Sequence, residues 1–318
     1  MRKKYTFLVP TWNRKDSIEK CLDSIFSQTI KDFEVIVLDD KSEDNTLEIL
    51  EEKYKGKIKI IKHKKNMGIS VSRNDLIKEV KTKYFTFVDS DDYIEDVLLE
   101  KCDKYLSNKN DLDLLCFCYK EKDIDGNFIR DVKKRESSVI SGEELITMWI
   151  KDSSSFDTPV CYMYNTKFFK SNKFKYEKNR NHEDFALTPL ILLKAEKVVS
   201  LSDVLYTVVL SKNSLVRPNR TEGLKKNIYD KLYHYDNLIK KISKMKIKKE
   251  NKDYIYSFLA NEILGDVNKL LGEDGKDFVR ELKKREVHKF LLENTFFNKI
   301  KKYIISKNYK FYFLFGGK

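Results

Sequence analysis

Asp89, Asp91 and Asp92 fall within four positions of the stretch YFTFVDSDDYIE. Like charges at that spacing repel and raise one another's pKa. Two uses fit them: a solvated loop that caps a helix starting near Glu95, or a divalent cation. Mg2+ or Mn2+ takes one or two carboxylates and completes its shell with phosphate oxygens. Asp89 and Asp91, two residues apart, can face one such ligand across a turn. A second acid pair, Asp39 and Asp40, sits in VLDDKSEDNT. Successive strand side chains point to opposite faces, so either one acid accepts from a base or ribose while the other caps the helix beginning near Asp44, or both cap it. In VPTWNR, Pro10 closes a strand, and Thr11 and Asn13 offer polar groups to a ligand or to an ordinary strand-to-helix turn. In NMGISVSRN, Gly68 permits close backbone approach, Asn66 and Asn74 are hydrogen-bonding groups, and Arg73 is either an anion-binding donor or a solvated helix residue. In HEDF, Glu183 and Asp184 suit the first turn of a helix, where the dipole favours acids.

These segments need a scaffold, and the alternation of the chain supplies one. YTFLVP, FEVIVLD, KIKIIK and YFTFVD read as strands. KDSIEKCLDSIFSQ, DNTLEILEEKY and SVSRNDLIKEV read as amphipathic helices between them. Ser42 or Asp44 is placed to cap the second helix. Strand–helix alternation at this spacing predicts βαβ units and a parallel sheet. Ligands of such sheets bind beyond the carboxyl ends of the strands, which gathers Pro10–Asn13, Asp39–Asp40 and Asp89–Asp92 on one rim. Further on, DLDLLCFCY predicts a strand, Asp125-Gly126 a hairpin turn, GEELITMWI a helix and PVCYMYN a strand. EDFALTPLILLKA predicts a helix broken or bent near Pro189, and VVSLSDVLYTVVL strand pairs. From about Glu222 the sequence becomes a series of Lys-rich amphipathic helices ending in NYKFYFLFGGK. The predicted division is 1–220 and 221–318.

The chain has 318 residues, 41% of them hydrophobic, enough for a sizeable core. Its net charge of +13 is concentrated: residues 221–318 carry 23 Lys and Arg against 13 Asp and Glu. Cys21, Cys102, Cys116, Cys118 and Cys161 form no CxxC pair, so structural zinc is unsupported and reduced thiols are expected. The basic N-terminus lacks the apolar run of a signal peptide, and no stretch reaches the roughly 18 apolar residues of a membrane span. A cytoplasmic protein, soluble or peripheral at the inner face of a membrane, is expected. The basic helices suit an anionic membrane surface, self-association into a homo-oligomer, or a solvated bundle capping the rest. No recognition motif accompanies them, so no specific nucleic acid is expected.

Taken in order, these motifs resemble the family 2 glycosyltransferases of the GT-A fold, bacterial cell-surface polysaccharide type. The resemblance covers roughly residues 3–215 and rests on VPTWNRKDSIEKCLDSIFSQTIKDFEVIVLDDKSEDNT, NMGISVSRN, FVDSDD and HEDFAL. It implies an α/β, Rossmann-like fold whose mostly parallel central sheet is flanked by helices, with an all-helical C-terminal region outside it. It also implies inverting transfer of a sugar from a UDP-sugar to a saccharide or glycan acceptor, with Mn2+ or Mg2+. Asp39 would then hold uracil N3–H. Pro10, Thr11 and Asn13 would line base and ribose, and Asn66 and Arg73 would clamp the nucleotide. Asp89 would touch ribose or a metal-bound water, and Asp91 would bind the metal. Asp184 would be the general base, supported by Glu183. The family's basic residues after the base helix are replaced by Thr207 and Leu210 in YTVVLSKNSLVRP. Ser214 matches; Lys212 or Arg217 is the candidate substitute for diphosphate contact, and His182 is a candidate third metal ligand. Two other readings compete: a sugar-1-phosphate nucleotidyltransferase, whose Gly-rich N-terminal loop is missing here, and a polyanion-binding protein using the basic helices.

Overall fold

The computed structural model describes residues 3–107, 111–154, 158–210, 221–270 and 272–294. Two compact units result: Met1–Asn179 with Leu187–Lys212, and Arg180–Ala186 with Asn213–Lys318. The expected division at 220 falls among residues outside the description, as do Lys212, Ser214, Arg217 and the segment from Thr295 onward.

The first unit follows the predicted alternation. Strands β1 (Tyr5–Thr11), β2 (Phe33–Asp39), β3 (Lys59–Lys62) and β4 (Tyr84–Phe87) alternate with helices α1 (Ile18–Phe26), α2 (Thr46–Lys53) and α3 (Ile69–Glu79). Their order in the sheet is β3-β2-β1-β4, all parallel. Helix α1 forms because Ile18, Cys21, Leu22 and Ile25 recur at helical spacing, and all four are buried. Pro10 lies inside β1 rather than ending it. The Leu8 carbonyl accepts from Val88 on the β4 side. Alternation turns the nitrogen of Pro10 to that same side, past the end of β4, where no ladder bond is lost.

Beyond β4 the sheet runs in both directions. A two-residue strand, β5 (Tyr93–Ile94), precedes α4 (Leu98–Leu106). The helix therefore starts three residues later than the acid-rich loop suggested. Its N-cap is Val97, without a side-chain cap, so Asp89, Asp91 and Asp92 cap nothing. Strands β6 (Leu114–Asp123) and β7 (Phe128–Val132) form the predicted hairpin, with Gly126 at φ +87°. Helix α5 (Gly142–Lys151) follows with a Ser141–Glu144 capping box. The start of PVCYMYN is a 3-10 turn, Pro159–Cys161, and only Tyr162–Asn165 is strand β8, because Pro at a helical first turn has its missing N–H where none is needed. Helix α6 (Thr166–Ser171) precedes α7 (Glu183–Lys194), which carries Pro189 within one continuous element. VVSLSDVLYTVVL is one 13-residue strand, β9 (Val198–Leu210), rather than a strand pair. It stays in the ladder with β6 by shifting register around Cys118. The complete order is β3-β2-β1-β4-β8-β6-β9-β5, with β7 on β6. All five cysteines are buried, and none forms a disulfide among the described residues.

The second unit contains α8 (Thr221–Ser243), α9 (Lys249–Lys269), α10 (Gly272–Lys284) and α11 (Val287–Asn294). Leu232, Tyr235, Leu238, Ile242, Leu259, Ile263, Phe278, Leu282 and Leu291 line its interior. No helix among the described residues is long and apolar enough to cross a membrane.

Close packing makes one position in the first unit sensitive. A Cβ on Gly142 would lie 1.9 Å from the backbone oxygen of Leu192 in α7. Gly142→Ala must push α5 off α7, an overpacking cost of about 1–3 kcal/mol. Urea unfolding should show that loss in stability; a variant as stable as wild type would contradict this packing.

Candidate active site

The parallel register sets Thr11 opposite Asp39 and Leu8 opposite Phe87, so the carboxyl ends of β2, β1 and β4 lie side by side. Hydrogen bonds tie this rim together. The Asp40 amide donates to the Thr11 carbonyl at 2.9 Å. The Asn13 amide donates to Ser42 Oγ at 2.9 Å, and Asn13 Oδ1 accepts from the Glu43 amide at 2.8 Å. Asn13 takes φ +51°, a left-handed turn that Asn tolerates.

The two acids after β2 divide their work. Asp40 places both carboxylate oxygens on the loop before α3: Oδ1 accepts from Met67 at 2.8 Å and Oδ2 from Gly68 at 2.7 Å. His63 Nδ1 lies 2.6 Å from Oδ1. The expectation that this acid caps α2 therefore fails; Asp44 receives the Thr46 amide there instead, at 2.9 Å. Asp39 is 2% exposed. Its Oδ2 accepts from the Ser42 amide at 3.2 Å, while its buried Oδ1 has no hydrogen-bond donor among the described residues. Thr11 Oγ1 beside it is likewise buried without a partner. Buried polar atoms are normally satisfied, so both atoms have hydrogen-bonding capacity left over at the strand ends. Asn66 is exposed, and its Oδ1 accepts from Gly68 at 3.1 Å.

Each acid of DSDD has its own counter-group. Arg73 Nη2 meets both oxygens of Asp89, at 3.0 and 3.3 Å. Arg73 is buried, not a solvated helix residue. Its guanidinium lies 5.7 Å from the Phe87 ring and 5.5 Å from the Tyr176 ring. Asn74 is occupied structurally, exchanging two hydrogen bonds with the Tyr176 backbone. Asp91 pairs with Arg14 at 3.1 Å; both side chains are more than a third exposed. Asp92 is buried and accepts from the Tyr206 hydroxyl and the Val209 amide, each at 2.8 Å. Tyr206 in turn accepts from the Asp89 amide at 3.1 Å. Burial, then Asp91 and Asp89, pushes the Asp92 carboxyl well above the usual carboxylate range. Burial and Asp89 also raise Asp91, against the opposing pull of Arg14.

Sequence reasoning missed Arg14, His63 and Tyr206. Arg14 was adjacent to the VPTWN motif, but Tyr206 lies 114 residues from Asp92, and no local pattern links them. Thr207 is buried on β9, and its hydroxyl has no partner among the described residues. Leu210 ends that strand.

The remaining candidates belong to the second unit. His182 has φ +61°. Glu183 is buried, and Asp184 Oδ1 accepts from the Phe185 amide at 2.7 Å, both acids lying in the first turn of α7. The structure thus groups Pro10, Thr11, Asn13, Asp39, Asn66, Arg73, Asp89 and Asp91 in one unit, and Glu183 and Asp184 in the other.

The donor set suits a hard divalent cation. Arg73 meets Asp89 and Arg14 meets Asp91, while Asp92 is held by Tyr206 and the Val209 amide. No cluster of three or more His, Cys, Asp or Glu side chains preformed for a metal occurs among the described residues. Asp91, with Asp89, fits the sparse protein coordination that Mg2+ and Mn2+ accept when phosphate and water complete the shell.

Residues 6–172, over half of the chain, match the model of glycosyl transferase family 2. The chain is 28% identical over 240 residues to the uncharacterized glycosyltransferase EpsJ of Bacillus subtilis, covering 73% of this chain and 69% of EpsJ. It is 30% identical over 217 residues to the poly(ribitol-phosphate) beta-N-acetylglucosaminyltransferase TarP of Staphylococcus aureus, covering 66% and 63%. In fold it resembles S. aureus TarS 1–349 in complex with UDP-GlcNAc, with a TM-score of 0.71 at 23% identity over 89% of this chain and 80% of that one. The architecture is the GT-A fold.

The raised Asp91 carboxyl fixes a pH dependence. Below the unfolded pKa of about 3.9 the group is protonated in both states and costs nothing. The penalty develops as pH rises through the raised folded pKa and is complete above it. In chelator, Asp91→Asn should therefore melt higher than wild type at pH 7.5, and the gain should shrink at pH 4.5. A constant difference across that range would contradict the repulsion.

Proposed function

Because the chain belongs to glycosyl transferase family 2, we propose that it transfers a sugar, with inversion, from a UDP-sugar to a hydroxyl of a saccharide or cell-surface glycan. The glycosyltransferase activity follows from the family. The observation that carries the choice of donor is the buried, unpaired Asp39 Oδ1 beside the unpaired Thr11 hydroxyl. A carboxylate oxygen can only accept, so it selects a ligand N–H. Uracil N3–H supplies one, whereas cytosine N3 is an acceptor and would be repelled. Relatives named for sugar transfer to poly(ribitol-phosphate) support a hydroxyl-bearing polymer as acceptor.

In this reading Pro10, Thr11 and Asn13 line base and ribose, and Asn66 and Arg73 steady the nucleotide. Asp91, with Asp89, holds Mn2+ or Mg2+. The bound cation supplies Lewis-acid neutralisation of charge building on the leaving diphosphate. Asp184, supported by Glu183, takes the acceptor hydroxyl's proton. The freed oxygen bonds to the anomeric carbon as the bond from that carbon to the β-phosphate oxygen breaks. UDP leaves with the electron pair. A positioned general base contributes about 10²–10⁴-fold.

Asp39→Asn should weaken UDP binding by about 1.5–3 kcal/mol, the worth of a hydrogen bond to a charged group, and narrow the preference for UDP over CDP. Calorimetry reads both; equal affinity of the wild-type chain for UDP, GDP and CDP would remove the assignment. The other two acids separate by kinetics. Asp184→Asn should keep UDP affinity and lower kcat by about 10²–10⁴-fold, whereas Asp91→Ala should lose the Mn2+-dependent part of UDP binding. Full turnover in excess chelator would refute the metal, and near-wild-type transfer by Asp184→Asn would refute the base.

A further inference from the structure

We propose that helix α8 is a positioning element for the acid pair, and that Asp230 is its anchor. The inference rests on the reading of Asp184 as general base. Every contact that carries it lies within the second unit, which contains Arg180–Ala186 together with the C-terminal helices.

Residues Asn227, Asp230, Lys231, His234 and Tyr235 recur at helical spacing and share one face of α8. That face holds the segment on both sides of His182. Asp230 Oδ1 accepts from Arg180 Nη1 at 2.8 Å, and its Oδ2 accepts from the Asn181 amide at 3.1 Å. Asn227 Oδ1 accepts from Asn181 Nδ2 at 2.6 Å. His234 Nε2 donates to the Asn181 carbonyl at 2.9 Å, since a carbonyl can only accept. The Arg180 guanidinium stacks 3.8 Å from the centre of the Tyr233 ring. Past the acids, Phe185 packs edge-on against Tyr235 at 5.2 Å. Tyr235 is fixed in turn by Asp266 of α9, a 2.8 Å hydrogen bond to a buried carboxylate.

The backbone between these anchors is turned by His182 at φ +61°. A residue with a Cβ disfavours that conformation, so it persists only where its neighbours hold it. Asn181 is held through its amide, its side chain and its carbonyl, and Phe185 through its ring. Glu183 and Asp184 lie between, so α8 sets where the first turn of α7 begins and where its carboxylates point. The Asp230 carboxylate is itself well supported. Burial opposes its charge, but Lys226, the Asn181 amide and Arg180 together hold it below the usual carboxylate range.

The test uses the full chain and two readouts. Asp230→Ala should speed amide exchange across residues 180–186 at least tenfold, measured by hydrogen–deuterium exchange. It should also lower kcat by about 10- to 100-fold, the scale of an ångström-sized misplacement. That rate is read on UDP-glucose or UDP-N-acetylglucosamine, whichever the wild-type chain turns over. Donor KM and UDP affinity should stay within about twofold, because a positioning residue does not touch the donor. Leu282→Ala, a core truncation in α10, should leave both exchange across 180–186 and kcat unchanged where it is folded. If Asp230→Ala does not fold, Asn227→Ala replaces it with the same expectations. Unchanged exchange and kcat in Asp230→Ala, or an equal loss in Leu282→Ala, would overturn the proposal. Should Asp184→Asn keep its kcat while Asp230→Ala loses it, the base assignment falls and the positioning of the segment stands.

Discussion

Like charge confined to a short turn is the constraint on which the first unit depends. Two carboxylates about 4 Å apart repel by about 4 kcal/mol at an effective dielectric constant near 20, and the turn after β4 holds three. Each must find a compensating group. The chain brings those groups from three directions: Arg73 from α3, Arg14 from the β1–α1 turn, and Tyr206 with the Val209 amide from β9. Satisfying the acids therefore pins a helix, a loop and a distant strand to one rim. The two-residue strand β5 exists in that setting, paired with Thr207 and Tyr206, too short to be stable without β9.

The pair after β2 shows the opposite strategy. Asp40 is spent on the chain, ordering the loop that carries Asn66 and Gly68. Asp39, one residue earlier, keeps an oxygen in reserve while losing nearly all exposure. Leaving a buried acceptor unmatched costs about 1–3 kcal/mol. Its neighbour is satisfied by two amides and an imidazole, so two adjacent acids on one rim meet opposite local conditions.

The parallel core was legible because its signals are local. Alternating strands and helices of ordinary length announce βαβ units, and the rim rule then gathers the motifs without any contact being known. What was not legible depends on pairing across the chain. VVSLSDVLYTVVL reads as two strands from its polar centre at Ser202-Asp203, yet β6 beside it absorbs the irregularity with a register shift. Asp92 read as a cap because its partner, Tyr206, is remote. For Arg73 a solvated position stayed open beside anion binding, because helical position alone does not reveal the Phe87 and Tyr176 rings. In α8 the lysines dominate the pattern and suggest a solvated or membrane-facing helix. Asn227, Asp230 and His234, which turn inward, are ordinary helix residues until the HEDF segment is seen against them.

The three acids after β4 also differ in how readily they can change partners, and this separates ligand from scaffold. An ion pair as exposed as Arg14–Asp91 is worth about 0–1 kcal/mol, so exchanging Arg14 for a cation asks little of the fold. Asp89 and its buried Arg73 are harder to part, and the Phe87 and Tyr176 rings hold the guanidinium in place. Asp92 cannot exchange at all without stripping Tyr206 and the Val209 amide of a buried acceptor and unpairing the end of β9. Exposure makes Asp91, of the three, the acid most able to exchange its partner. Asp92, equally acidic in sequence, serves by staying where it is.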